Sequence, residues 1–317
     1  MTREELIEKV RFTTTHEPHI EMQLYGFKKG NNTPHKVNVD PSLINEIIPV
    51  ISYGIQTLLV EKEYIIVNYS TADERKGRYY LYDLDDVPVN LKRMSEVIGN
   101  AHYQNFDFSD DGFNELDHFV IVLSDKNGLV FSLYKSFSSV EKLTKSTKSV
   151  FGIMGDDILK SFDGRLLRIG PNFQVIFIAD KYIILDDKFA ESTFDLHAVL
   201  NNQASKYINS LEEKKLILDF NKLNKYKDRI SFSRKLVKVL STSKLLNNNV
   251  TKEDIFDFIA KDEKLSKVLR IKEKDGEKFI EITNKNNAKV FLELLNDEFV
   301  YSQLTNQKYQ AANKDER

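Results

Sequence analysis

The sequence predicts an α+β fold, with a β-rich half over residues 1–195 followed by a mainly helical half over residues 196–317. Three observations carry this. Phe173 to His197, FQVIFIADKYIILDDKFAESTFDLH, is two apolar runs hinged at Ala179-Asp180-Lys181, then a short charged connection that feeds a helix. HFVIVLS and LVFSLY flank Asp125-Lys126-Asn127-Gly128, and Asn-Gly supplies the positive φ angles that a tight hairpin needs. From about Leu196 the apolar period lengthens: Leu200, Ala204, Ile208 and Leu211 share one helical face.

The first twelve residues place Leu6 and Val10 on one stripe, which suits a short amphipathic helix. Ile20 to Phe27 alternates as a strand, and Asn31-Asn32 with Pro34 reads as a loop. Asp40-Pro41 opens a helix to Ile48, with Pro in its first turn. Ile55 to Val60 and Tyr64 to Tyr69 read as a hairpin, and Tyr79 to Tyr82 as a further strand. Val89 to Ile98 is expected to be helical, Lys135 to Lys148 a surface helix and loop, and Arg165 to Ile169 a strand. In the second half a helix over Phe232 to Leu246 buries Phe232, Leu236, Val239 and Leu240. Thr251 precedes Asp254 by three positions, a capping-box start for Lys252 to Ala260. A short helix with Leu265, Val268 and Leu269 inward leads to a hairpin over residues 270–283 about Asp275-Gly276, then to a closing helix from Asn287.

Composition narrows the chemistry. At roughly 150 residues per domain, 317 residues fit two domains. Without Cys there is no disulfide, thiolate nucleophile or Cys-ligated zinc, which fits a reducing cytoplasm. The N-terminus lacks the basic-then-apolar pattern of a secretion signal, and no run reads as a membrane span, so a soluble protein is expected. The net charge of −2 hides segregation. Asp73 to Asp117 holds 11 acidic against 5 basic residues, whereas Lys206 to Lys244 holds 11 basic against 4 acidic. Such asymmetry suits a polyanion-binding half beside an acidic docking half, or two solvated surfaces.

The order of helix, short helix and hairpin resembles a winged helix-turn-helix in outline. Lys261, Lys264, Lys267 and Arg270 recur every three residues, and Lys272, Lys274 and Lys278 decorate the wing. Cations on a helix and wing can straddle duplex phosphates; an exposed, solvated face gives the same pattern. Lys222, Lys225, Lys227 and Arg229 cluster around Tyr226, and Arg234, Lys235 and Lys238 share a side of the second helix. All of these basic residues except Lys274 and Lys278, twelve residues, are the candidate DNA contacts. For catalysis the candidate is the trio Asp163, Asp186 and Lys188, the last two within Asp186-Asp187-Lys188, an echo of the D…D/E-x-K pattern of Mg²⁺-dependent nucleases; chance supplies such a pattern in so charged a chain. Among six His residues only His16 and His19 have metal-like spacing. Neither a G-x-S-x-G elbow nor a phosphate-cradling glycine loop occurs, so acyl hydrolases and P-loop enzymes are not expected.

The run RLLRIGPNFQVIFIADKYIILDDKFAESTFDLHAVLNNQA, with FVIVLSDKNGLVFSLYK before it and KFIEITNKNNAKVFLELLNDEFVYSQLTNQKY near the end, resembles the KwaB family of the bacterial Kiwa anti-phage defence system. The resemblance covers about Tyr80 to Tyr309. It implies a cytoplasmic DNA-binding effector rather than an enzyme, without a cofactor or metal. It also implies dimers or larger assemblies, and a membrane partner, KwaA, that recruits the protein to the inner face of the membrane. The sheet-rich half would be the assembly platform, and an adaptor that binds only protein is the remaining alternative.

Overall fold

A computed structural model of the protein describes residues 1–15, 20–71, 77–99, 102–138, 141–144, 151–155, 158–162, 165–227, 229–247, 250–302, 304 and 307–310. The chain forms two compact units: Met1–Val67, Arg75–Tyr82 and Val87–Phe194 in the first, Asn68–Glu74, Asp83–Asp86 and Asp195–Arg317 in the second.

In the first unit, α1 (Arg3–Val10) starts at a capping box in which Thr2 and Glu5 satisfy each other's backbone N–H. Strands β1 (Glu21–Lys28) and β2 (Asn31–Val37) precede α2 (Pro41–Ile55), which Asp40 caps through the Ser42 N–H. Next come β3 (Ile65–Asn68), β4 (Arg78–Leu81), α3 (Val89–Gly99) and α4 (Asp110–Glu115). Strands β5 (Leu116–Ser124), β6 (Val130–Ser136), β7 (Lys142–Thr144), β8 (Phe151–Gly155), β9 (Ile158–Phe162), β10 (Arg165–Leu167), β11 (Val175–Ile178) and β12 (Lys181–Ile184) lead to α5 (Asp187–Thr193). Eight strands make one sheet in the order β2-β1-β5-β6-β11-β12-β4-β3, and β10-β7 and β8-β9 form separate ribbons.

Alternation sorts the sheet's two faces. Leu24, Phe119, Ile121, Phe131, Leu133, Ile176 and Ile183 join Leu6 and Val10 of α1 and Ile47, Ile51 and Ile55 of α2 in one apolar core. Each such side chain contributes about 1.5–3 kcal/mol when fully buried. The opposite face carries Tyr25, Phe27, His118, Val120, Ser132, Tyr134 and Val175, also buried. Ser132 donates to the Met94 carbonyl of α3, and Phe194 meets Tyr134 edge-on.

The β5–β6 hairpin forms as the sequence predicts: the Asp125 carboxylate accepts from the N–H groups of Asn127 and Leu129, and Gly128 takes φ +84°. The β11–β12 hairpin turns at Ala179 and Asp180, both with positive φ. It is the last hairpin of the first unit in chain order, and β12 goes on to pair with the much earlier β4. Three expectations are corrected. Ile55 to Val60 is not a strand: α2 runs on through a wider π-helical turn, Gln56–Glu61, because an unbroken apolar run satisfies a buried helix as well as a strand. The combined helix, Pro41–Glu61, is long and apolar enough to cross a membrane by length and composition, which the strand reading concealed. Asn31 to Pro34 is strand rather than loop; β2 is the sheet's edge, where a proline costs no ladder bond. Lys135 lies in β6 with its ammonium buried against Glu141 at 2.7 Å, and residues 142–144 form β7 rather than a helix. Residues 145–148 lie outside the described residues, as do His16 and His19.

The second unit contains α6 (Leu196–Glu213), α7 (Asn221–Asn224), α8 (Ile230–Thr242), α9 (Lys244–Asn247), α10 (Lys252–Lys261) and α11 (Glu263–Val268). The hairpin β13 (Arg270–Lys274) and β14 (Glu277–Glu281) follows, then α12 (Lys285–Leu295) and a second hairpin, β15 (Phe299–Ser302) and β16 (Gln307–Gln310). Leu200, Ala204, Ile208 and Leu211 are buried, as the helical period requires. Helix α8 packs against α6, α12 and the short turn Tyr69–Thr71. The Thr251–Asp254 capping box forms, and Asp275 and Gly276 turn the wing hairpin with φ of +54° and +79°. Where one long helix was expected over residues 232–246, Ser243 breaks the chain between α8 and α9, its hydroxyl donating to the Leu295 carbonyl at 2.6 Å.

Candidate nucleic-acid interface

The second unit brings its basic residues together through one backbone junction. Ile280 of β14 bridges Ile217, with Ile280 N–H donating to the Leu216 carbonyl at 2.9 Å. The connection after α6 is thereby laid beside the hairpin, and Lys222 is carried to the wing. Lys272 Nζ lies 2.8 Å from Glu281 Oε1. The Lys272 hydrogen bond, with the charges of Lys272, Lys222 and Arg270, holds the Glu281 carboxyl below its usual range. Three cations drawn from two separate sequence clusters therefore converge on one carboxylate.

Lys261, Lys264, Lys267 and Arg270 are all exposed along the end of α10, α11 and the start of β13. Asp262 is what turns the chain between the two helices: its carboxylate accepts from the N–H groups of Lys264 and Leu265. Lys267 Nζ lies 2.7 Å from Glu263 Oε1, an i,i+4 pair. The field here is mixed: Lys252 to Glu281 contains eight Lys or Arg against nine Asp or Glu. On the wing, the face that carries Arg270, Lys272 and Lys274 also carries Glu281, Phe279 and Glu277 as cross-strand partners.

The remaining candidates divide by burial. Lys222, Lys225 and Arg229 are exposed. Lys227 is half-buried and donates to Ser205 Oγ at 2.8 Å. Arg234 and Lys235 do not share an exposed face with Lys238. Arg234 is buried, its guanidinium 5.7 Å from the centre of the Tyr69 ring, and Lys235 reaches Glu298 at 3.0 Å and Glu293 at 3.4 Å. Helix α8 buries Ser233, Arg234 and Val237 besides its expected stripe, so little of its circumference meets water. Lys238 is half-buried. Within this unit Lys206 Nζ also lies 3.6 Å from Asp86 and 3.9 Å from Asp85.

Of the nuclease trio, Asp186 is the N-cap of α5, accepting from the Phe189 N–H at 3.0 Å, and Lys188 is exposed on that helix. Asp163 lies outside the described residues. Among the described residues no group of three or more His, Asp or Glu side chains is placed to hold a metal ion.

A further polar cluster escaped the sequence reading. His118 is 3% exposed and stacked between Phe27 and Tyr134, with ring centroids 4.5 and 4.3 Å away. Its Nδ1 lies 2.9 Å from Asp117 Oδ2. Burial pushes the imidazole pKa down although Asp117 opposes that shift, and it pushes the Tyr134 hydroxyl up. The available signal was strand parity, which puts His118 in phase with Val120 and Val122 on a covered face.

Fold and site together define a two-unit α+β protein, with a sheet covered on both faces and a helical unit whose exposed cations gather at a helix and hairpin. That architecture matches no solved structure. The chain belongs to the Kiwa protein KwaB-like family, whose model matches residues 113–305. It is 30% identical over 253 residues to the Kiwa protein KwaB of Escherichia coli O55:H7 (strain RM12579 / EPEC), covering 78% of each chain. With the family goes a role in anti-phage defence.

Proposed function

We propose that the protein binds phage DNA largely without sequence preference and interferes with its replication or expression. The observation that carries this reading is the convergence of Lys222, Arg270 and Lys272 about Glu281, flanked by exposed Lys264 and Lys267. Lysine and arginine contacts to phosphate position a duplex without reading its bases. Arg234 and Lys235 fall outside the contact set, because their charges are engaged inside the unit. The role is that of a binding effector and requires neither catalysis nor a cofactor. The protein works in the cytoplasm as a homodimer or larger assembly built on its sheet unit, and a membrane partner of the KwaA kind recruits it to the inner face of the membrane. Kinship with a Kiwa KwaB supports that partnership.

The test is a titration of labelled duplex DNA at several salt concentrations, with and without Mg²⁺. Neutralising about three to five phosphates gives a log–log salt slope of about −2.7 to −4.5. The triple variant Lys264→Glu, Lys267→Glu, Arg270→Glu should lose binding while its circular dichroism stays unchanged. Undiminished affinity in that variant would remove this surface, and DNA shortened only with Mg²⁺ would replace the effector by a nuclease.

A further inference from the structure

The second unit carries another surface of opposite sign. A pocket of about 220 Å³ opens between α10, α12 and β15, lined by Leu245, Val250, Ile255, Phe258, Leu294 and Phe299. It is smaller than the ~300–1,000 Å³ of ordinary small-molecule sites, and its size suits a single bulky side chain. Phe258 remains 44% exposed at its edge, a large apolar side chain left open to water.

Two acids stand at the rim of this apolar floor: Asp254 and Asp297 line the mouth, with the charge of Lys261 acting on Asp254 from the end of the same helix. Both mouth carboxylates are fixed by backbone architecture. Asp254 closes the capping box of α10, which holds its pKa below the usual carboxylate range through the Thr251 hydrogen bonds. Asp297 ends α12 in the left-handed region at φ +51°, with its N–H donating to the Leu294 carbonyl and that of Glu298 to the Glu293 carbonyl. This is the helix-ending geometry in which glycine is usual and costs least, so an aspartate there places a carboxylate at the mouth against local preference.

We propose that this pocket is a docking site for a partner protein that inserts one bulky apolar side chain flanked by lysine or arginine. A buried anchor within a charged rim is how interfaces concentrate their affinity, and the complementary sign specifies the flanks. The carboxylates at the mouth disfavour phosphate, so the occupant is protein rather than nucleic acid.

The probes are two fluorescein-labelled synthetic peptides of equal length, one with a phenylalanine between lysines and one with it between glutamates. Each is titrated by fluorescence anisotropy into the full-length protein and into two variants. Val250→Phe fills the pocket from its half-buried rim, and Asp297→Asn removes a charge at the mouth while keeping a residue that accepts the left-handed backbone there. The lysine-flanked peptide should bind the parent saturably and the glutamate-flanked one should not, with each variant weakening binding about tenfold or more. Equal binding of the two peptides, undiminished binding to both variants, or no saturable binding of the lysine-flanked peptide overturns the proposal. Sedimentation velocity supplies the remaining outcome: if Val250→Phe dissociates an oligomer of the parent, the occupant is a second copy of this chain and the proposed partner is wrong.

Discussion

Lowering the pH from 7.5 to 5.5 should weaken the sheet unit through His118, and replacing that residue by phenylalanine should remove the effect. The imidazole is 3% exposed between two aromatic rings, and burial holds its pKa below the ordinary 6.5. The groups facing it are Asp117, which raises the pKa, and the Phe27 and Tyr134 rings; Lys142 and Lys29 act on Asp117 from its other side. A histidine whose folded pKa is depressed is neutral in the fold while the unfolded chain takes up a proton. Its contribution is therefore fully present above pH 6.5 and lost as the pH falls below it. At about 1.36 kcal/mol per pH unit, the loss reaches about 1.4 kcal/mol at pH 5.5 if the folded imidazole stays neutral. Asp117, whose own pKa is lowered by the His118 hydrogen bond, adds its loss only at lower pH, below 3.8. His118→Phe keeps a ring in the stack, and half-exposed Asp117 finds water in place of Nδ1. Hydrogen exchange of the β5 and β6 amides at the two pH values, corrected for intrinsic rates, reads this unit alone. The parent should lose more than His118→Phe between them, by up to about 1.4 kcal/mol. Other histidines cancel in that difference, so equal losses would refute the assignment.

Two further perturbations test the packing. Gly54→Ala would bring a Cβ to 2.1 Å from the Pro171 carbonyl oxygen, and backbone cannot yield as a side-chain tip does. A loss of about 3 kcal/mol in urea unfolding is expected, against little change for Gly99→Ala, whose Cβ meets nothing within 4 Å. In the second unit, Lys235→Met leaves Glu298 buried without its cation, while Lys289 stays 3.5 Å from Glu293. It should cost about 3–5 kcal/mol by chemical denaturation at neutral pH, with part of the loss recovered in the triple variant that also carries Glu293→Gln and Glu298→Gln.

What the sequence disclosed depended on how local each signal was. Gly128 and the Asp275-Gly276 pair announce their hairpins because the positive φ each turn needs comes easily to those residue types. Thr251 and Asp254 fix a helix start across three positions, and Leu200 to Leu211 mark a buried face by period. Ile55 to Val60 carries no period, so only the residues before it, already committed to a helix, decide its state. For the site, spacing found the exposed stripe from Lys261 to Arg270 but not Glu281, whose role arises where Lys222 meets the wing. Arg234 and Lys235 looked exposed because the apolar positions of α8 were read as a single stripe, whereas the helix is covered on several sides. Their partners, Tyr69 and Glu298, lie 165 and 63 residues away from them, beyond the reach of any local pattern.

The insertion of β11–β12 between β6 and β4 sets an order of events during synthesis. Strand β4 emerges from the ribosome about 100 residues before β12, a lag of about 5–20 s at ordinary elongation rates. Until then Tyr80 and Leu81 lack the backbone partners they have in the finished sheet, Ile184 and Ile183. The earlier meander β2-β1-β5-β6 can zip as it appears, but its β6 edge stays open to any passing strand until Val175 to Ile178 arrives. A nascent chain stalled before residue 175 is thus the species most exposed to mispairing and most in need of a chaperone.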